Sequence, residues 1–483
     1  MGSATELARL YVEAPVSTEV LEQESPASIP HPPGRIPILG DVRNSSPRRP
    51  IQDVMRFGKQ LGPIFERKIF GRRLVFVSGA DMVAELSDEA RFAKYLSPAV
   101  ARLRQIGGDG LFTAYNDEPN WRKAHNLLRP AFTQAAMRSY HQIMVDVARE
   151  LVADWDTRTT VDVSADMTKL TLETIGRTGF SHPFDSFRRE RLHPFVEAMV
   201  GALRHAQLRT FLSPPLVGEL LWRRADKRNL DRIAFMNGVV DEVIRERREV
   251  GHTGPDDLLE LMMRAARDDD PDRIDDVNIR HQVLTFLVAG HETTSGALSF
   301  AFYYLSRHPE ILAKAQAEVD EVWGPDTGVD PSFEQIAKLR HVRRVLDEAL
   351  RMWPTAPIYG REAREDTTLV GKYPMRAGDG VLVSIPSLHR DPAWGHDADV
   401  FDPDRFLPAR VKGRPAHIYK PFGTGERACI GRQFALHEAV LVLGTILRRY
   451  DLEPDADYQL RVQERLTLMP EGFRLHLRRR SRS

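Results

Sequence analysis

The chain has 483 residues, with 68 Lys and Arg against 68 Asp and Glu, a balance that gives no footing for a nucleic-acid partner or a strongly anionic surface. Its single cysteine rules out an intramolecular disulfide and a CxxC metal knuckle. The length would allow about three domains of roughly 150 residues. No Gly/Ser linker, repeat or composition break divides it, so one large, mainly α domain with small β-sheets is expected.

Residues 1–28 mix Ser, Glu, Pro and Ala without an apolar run and read as a flexible tail, with neither a signal peptide nor an integral membrane anchor. The chain therefore reads as cytoplasmic. Met1-Gly2 is no myristoylation start, because Glu6 stands where Ser or Thr is needed. The Asn44-Ser45-Ser46 sequon means nothing without a secretion signal. A rigid proline segment, Pro30 to Pro37, opens the ordered domain, placed at 29–477, with a basic tail at 478–483. A helix is expected around 51–61. Residues 64–70 and 72–77 then read as a β-hairpin turning at Gly71.

Gly107-Gly108-Asp109-Gly110 lacks the third glycine of a dinucleotide fingerprint and any Gly-Lys-Ser/Thr, so it is a loop and not a phosphate cradle. Residues 120–126 open a helix with Trp121 and His125 on one face, which alone reads as an ordinary amphipathic surface. Helical patterning runs from Met137 to about Glu249. It is broken by the apolar stretch 211–217, either a packed turn or a mobile lid over an access channel.

A long apolar helix from 279 to about 305 carries Ala289-Gly290-His291-Glu292-Thr293-Thr294-Ser295. Ser295 occupies the place of the second histidine of HExxH, so a zinc-protease reading fails. Taken alone, the segment is a core helix with one surface-facing Glu; threonine can also bond back to the preceding turn and loosen a helix. Glu348 and Arg351 sit one helical turn apart, and Arg405 follows in a turn. Last comes Phe422-Gly423-Thr424-Gly425-Glu426-Arg427-Ala428-Cys429-Ile430-Gly431, where glycines give a tight loop around the cysteine. A long apolar helix follows it. Cys429 therefore sits at or just before a helix N-terminus, which favours thiolate over thiol. A lone cysteine without such context would pack as a small apolar residue.

The pattern FxxGxRxCxG resembles the cysteine-loop signature of the cytochrome P450 monooxygenases at every fixed position, and 289–294 resembles their oxygen-activation motif. The resemblance runs from about 30 to about 477. It is closest to the haem domain of bacterial self-sufficient fatty-acid hydroxylases, in which a diflavin reductase is fused behind the haem domain. It implies the P450 fold and haem b, with Cys429 as axial thiolate and metal ligand, Phe422 in the haem-binding loop, and Trp121, His125 and Arg427 at the propionates. It also implies Thr293 and Glu292 in proton delivery, Phe112, Ala289, Ala356 and Leu466 lining the pocket, and Arg72 at the channel mouth to meet a carboxylate. Glu348, Arg351 and Arg405 would form a charge-assisted cluster behind the cysteine loop.

Two departures stand at the mouth. Phe76 replaces the family's tyrosine, and Arg67 replaces a phenylalanine that shields the anchor. Positive charge grows there while a hydroxyl and an apolar cap are lost. The implied reaction puts one oxygen atom of O2 into a C–H bond of a small lipophilic substrate, a medium- or long-chain fatty acid hydroxylated subterminally. Electrons would come from a separate reductase, of diflavin/FMN or ferredoxin type, docking near Arg122, Lys123 and Arg432. The other readings are a monooxygenase of a different lipophilic or natural-product substrate, a peroxide-driven hydroxylase, a haem-thiolate sensor without turnover, and a non-haem scaffold.

Overall fold

Long amphipathic runs with polar caps set the architecture. Asp162 accepts a hydrogen bond from Ala165 N and starts the helix Val163–Phe180, and Asp275 accepts from Asn278 N to start the 32-residue helix Asp276–Arg307. These two pack along each other, and with the helices Gln134–Trp155, Arg340–Met352 and Arg432–Arg449 they enclose the main core. Helix–helix and helix–strand approach is close where side chains are absent: a Cβ at Gly296 would stand 2.6 Å from Leu468 O. The structure is a computed structural model describing residues 28–43, 45–214, 218–254, 256–267 and 273–480. Residues 1–27 of the expected tail, Asn44 of the sequon and residues 215–217 of the apolar loop lie outside the described residues.

The expected hairpin forms from Ile64–Ile69 and Arg72–Val77, with Gly71 at φ +79°. It edges a five-stranded sheet that continues through Gly380–Ser384, Ile358–Ala363 and Phe92–Tyr95. The hairpin's face carrying Phe65, Leu74 and Phe76 closes over Phe57 of the helix Pro50–Leu61. From Gln134 to Val250 the described chain is helical, as expected, apart from the short strand Thr160–Asp162, a loop at 181–193 and the turn after Phe211.

One expected boundary is corrected. Arg478 and Arg479, read as a tail, end the strand Arg474–Arg479, which pairs with both Tyr450–Pro454 and Thr160–Asp162. Arg480 is then fixed by Asp320 at 2.6 Å. Backbone pairing and ion pairs use these arginines, which composition alone paints as solvated. Among the described residues no helix is long and apolar enough to cross a membrane.

Candidate functional site

Backbone bonds shape the cysteine loop. Gly423 and Gly425 lie at φ +73° and +66°, and Cys429 N donates to Phe422 O at 2.9 Å, which folds the segment back on itself. The loop is fastened from behind. Glu348 and Arg351, both fully buried, share two 2.7 Å bonds, and Arg405 stands 3.5 Å from the same carboxylate. The Arg351 carbonyl accepts from His389 Nδ1, and His389 Nε2 accepts from Lys420 N at the loop's root. Burial holds that imidazole neutral, its pKa pushed down to about 3. The three-residue cluster expected from sequence is thus assembled, with His389 as the link that sequence did not reveal.

Cys429 is exposed, but to an interior cavity of about 300 Å³. The following helix begins at Arg432, three residues on, with Gly431 at its N-cap. The expected lowering of the thiol is corrected: burial pushes Cys429 up and outweighs the Gly431 backbone contact and the Arg432 charge that pull it down. A bound cation, not the helix, is what would favour the thiolate here.

The opposite wall is the Asp276–Arg307 helix, through Ala289, Gly290, Thr293 and Ala297. Thr293 Oγ1 donates to Ala289 O at 2.8 Å, one turn back. Glu292 is not surface-facing: it is buried and accepts from Thr467 Oγ1 at 2.6 Å. Burial raises its pKa above the ordinary carboxylate range, against the opposing Thr467 bond and Arg465 charge. Neighbouring His291 points away, Nδ1 on Leu287 O, and is held neutral by burial.

At one edge Trp121 stacks on His125 at 4.9 Å, and the Arg427 guanidinium lies 3.7 Å over the Trp121 ring. His125 Nδ1 and one Arg427 terminal nitrogen are buried without a hydrogen-bond partner. Lys94, whose pKa burial lowers to about 7 with Arg427 and Arg104 adding to the effect, shares this cationic corner. Phe422 completes the floor. A slot with one thiol on its floor, apolar faces and unfilled cationic donors at one edge fits a flat iron macrocycle bearing two carboxylates. Of the expected docking cations, Arg122 is committed to Glu426 at 2.7 Å, Lys123 donates to Arg273 O, and Arg432 lies over Phe422.

A second cavity, about 220 Å³ and mostly apolar, meets the first at Phe112, Ala289, Thr293 and Ala356. Leu466 lines it in a left-handed conformation, φ +75°, held by its N–H on Gln207 Oε1. Phe76 and Arg67 are on its wall, whereas Arg72 is exposed at the start of its strand and does not reach it. Glu464, also on the wall, was not marked by any sequence motif; its oxygens accept from Ile51 N, Gln52 N and Gln52 Nε2.

The family model described as Cytochrome P450 matches residues 30–477. The chain is 44% identical over 456 residues to a bifunctional cytochrome P450/NADPH–P450 reductase of Bacillus cereus, covering 93% of this chain and 42% of that protein. It is 45% identical over 438 residues to bifunctional cytochrome P450/NADPH–P450 reductase 2 of Bacillus subtilis, 89% of this chain and 40% of that one. A self-sufficient cytochrome P450 monooxygenase of Phanerodontia chrysosporium is 39% identical over 456 residues, 93% and 42% of the two chains. The chain spans about two fifths of the length of the curated relatives it matches.

Proposed function

The chain belongs to the cytochrome P450 family, whose members hold haem through a cysteine thiolate, and from that premise we propose that it hydroxylates a C–H bond of a medium- or long-chain fatty acid with electrons from an NAD(P)H-linked flavoprotein reductase. Haem, when bound, supplies the activation of O2 at its iron, the chemistry no side chain can perform. Cys429 is the residue to hold that iron, since it is the one cysteine and faces the slot. Arg427, Trp121 and His125, with Lys94 beside them, would hold the haem's propionates, and Phe422 would lie against the group from the cysteine loop.

Burial raises the Glu292 pKa, which makes its carboxyl a readier proton carrier, and Thr467 keeps that carboxyl oriented. Thr293, one residue on and facing the slot, presents a hydroxyl there for the proton to be passed on. Phe112, Ala289, Ala356 and Leu466 exclude water around the carbon to be oxidised. The observation that carries the substrate class is the apolar cavity leading from the hairpin to Thr293, with a cation on its wall. The Bacillus relatives are bifunctional cytochrome P450/NADPH–P450 reductases, which supports the electron source.

An optical titration of the haem-loaded ferric protein with saturated fatty acids of increasing chain length tests this reading. A saturable low-to-high-spin Soret shift is expected, together with loss of the thiolate spectrum in Cys429→Ser. A thiolate spectrum that no fatty acid perturbs would remove the substrate class and leave the enzyme class standing.

A further inference from the structure

We propose that Arg67 is the head-group site of the substrate cavity: its buried guanidinium takes the carboxylate of an amphiphile whose chain runs toward Thr293. This deepens the proposed function and rests on a lipophilic substrate entering that cavity.

Arg67 is 2% exposed, yet among the described residues its guanidinium makes no ion pair. One terminal nitrogen donates to Ser45 Oγ at 2.6 Å and reaches the Asp41 carbonyl at 3.5 Å; its Nε has no partner at all. The guanidinium also lies over the Phe57 ring, 5.2 Å from its centroid. The nearby acids are already engaged. Asp41 binds Arg35 and the Lys68 N–H, Asp53 binds Arg56 and the Ser46 N–H, and Glu464 is filled by the three donors of the Pro50–Leu61 helix start. Burial lowers the Arg67 pKa, but a guanidinium stays charged in proteins. Asp53 and Asp41 offset that burial only from a distance, and a buried cation without a direct ion-pair partner is costly to keep unless an anion arrives to meet it.

Position agrees with charge. Among the described residues lining this cavity, Arg67 is the one cation, and it sits with Val54, Leu74 and Phe76 at the end away from the slot. Thr293, Ala289 and Ala356 lie at the other end, where both cavities meet. Hairpin register places Arg67 opposite Leu74 and Arg72 opposite Ile69, so the two arginines share a face two residues apart. Arg67 is therefore about 6–7 Å further along the sheet than Arg72, inside the wall instead of on the surface. An acid held there sits deeper, which favours shorter chains than an Arg72 anchor would.

The test compares dodecanoic acid with dodecanol, equal in chain and different in charge, on the haem-loaded protein, reading dissociation constants and ligand-induced thermal shifts. Wild type should bind the acid at least tenfold more tightly than the alcohol. Arg67→Leu should erase that ratio while keeping alcohol affinity, and Arg72→Ala should change it less than threefold. Arg67→Gln, a donor without charge, should behave like Arg67→Leu and carries the test should the leucine variant fold poorly. An acid preference that survives in both Arg67 variants overturns the assignment and leaves the fatty-acid reading intact. Equal wild-type affinity for acid and alcohol overturns the anionic head group, and wild type binding neither overturns the substrate reading as well.

Discussion

Glu438 offers a quantitative test of how the helix after the cysteine loop is packed. It is 1% exposed within Arg432–Arg449, and neither carboxyl oxygen receives a hydrogen bond of ordinary geometry. The nearest hydroxyl, Thr174, already gives its proton to Leu170 O. Burial accordingly raises this carboxyl from 4.5 to about 8. A raised folded-state pKa means that the wild type is least penalised below about 4.5, where both states are protonated, and loses stability as pH climbs toward 8. At about 1.4 kcal/mol per pH unit, the loss is about 3 kcal/mol at pH 7 and about 5 kcal/mol by pH 9. Glutamine keeps the shape and cannot ionise. Glu438→Gln should therefore match wild type near pH 4.5 and exceed it increasingly above. With an unfolding entropy of about 2.1 cal/mol/K per residue, 483 residues give about 1 kcal/mol/K, so the Tm gain at pH 7 is about 3 °C. Calorimetry of both proteins from pH 4.5 to 9 reads the difference directly. The neighbouring imidazoles His141 and His437, 3.0 Å apart, are common to both proteins, so what they contribute cancels. A Tm difference that does not change with pH would refute the buried-acid argument.

Three further outcomes are expected. Thr293→Ala should retain haem and the thiolate spectrum but lower product formed per electron consumed severalfold, measured by NADPH oxidation against product; equal coupling removes Thr293 from proton delivery. Glu348→Gln strands the Arg351 charge in the core and should destabilise by about 3–5 kcal/mol, with faster haem loss in denaturant; a loss within about 1 kcal/mol would show that the carbonyls of His389 and Ala398 suffice for Arg351. Gly425→Ala meets both a φ of +66° and a Cβ position 2.0 Å from the Glu89 carboxylate, and should cost about 1–3 kcal/mol. Transfer of haem to an apo-acceptor should be faster in this variant, and unchanged transfer would show that the loop relaxes freely.

Local chemistry was legible and three-dimensional company was not. The cysteine loop, the Ala289–Ser295 segment and the Gly71 hairpin are written in short motifs that need particular residues at fixed spacing, and each forms where expected. The helix start beside Cys429 is visible in sequence, whereas the desolvation that pushes the free thiol up comes from everything folded around it. Glu292 looks surface-facing until Thr467, 175 residues later, supplies its partner. Glu464 joins Arg67 on one wall only through tertiary packing, so no spacing announces it. The terminal arginines hide a strand because charge masks its alternation, with Leu475 and Leu477 on one side and His476 and Arg478 on the other.

The route Glu348–Arg351–His389–Lys420 has a bearing on the order of assembly. The Thr293 wall and the Trp121–His125 edge are synthesised long before the cysteine, and the loop's fastenings are spread over the residues just ahead of it. Until that stretch and the Arg432–Arg449 helix behind it dock, the apolar hollow stands open, the condition in which nascent chains stick to one another. Cofactor supply is then a matter of timing: a ring that arrives while the hollow is still waiting would both close it and end its exposure.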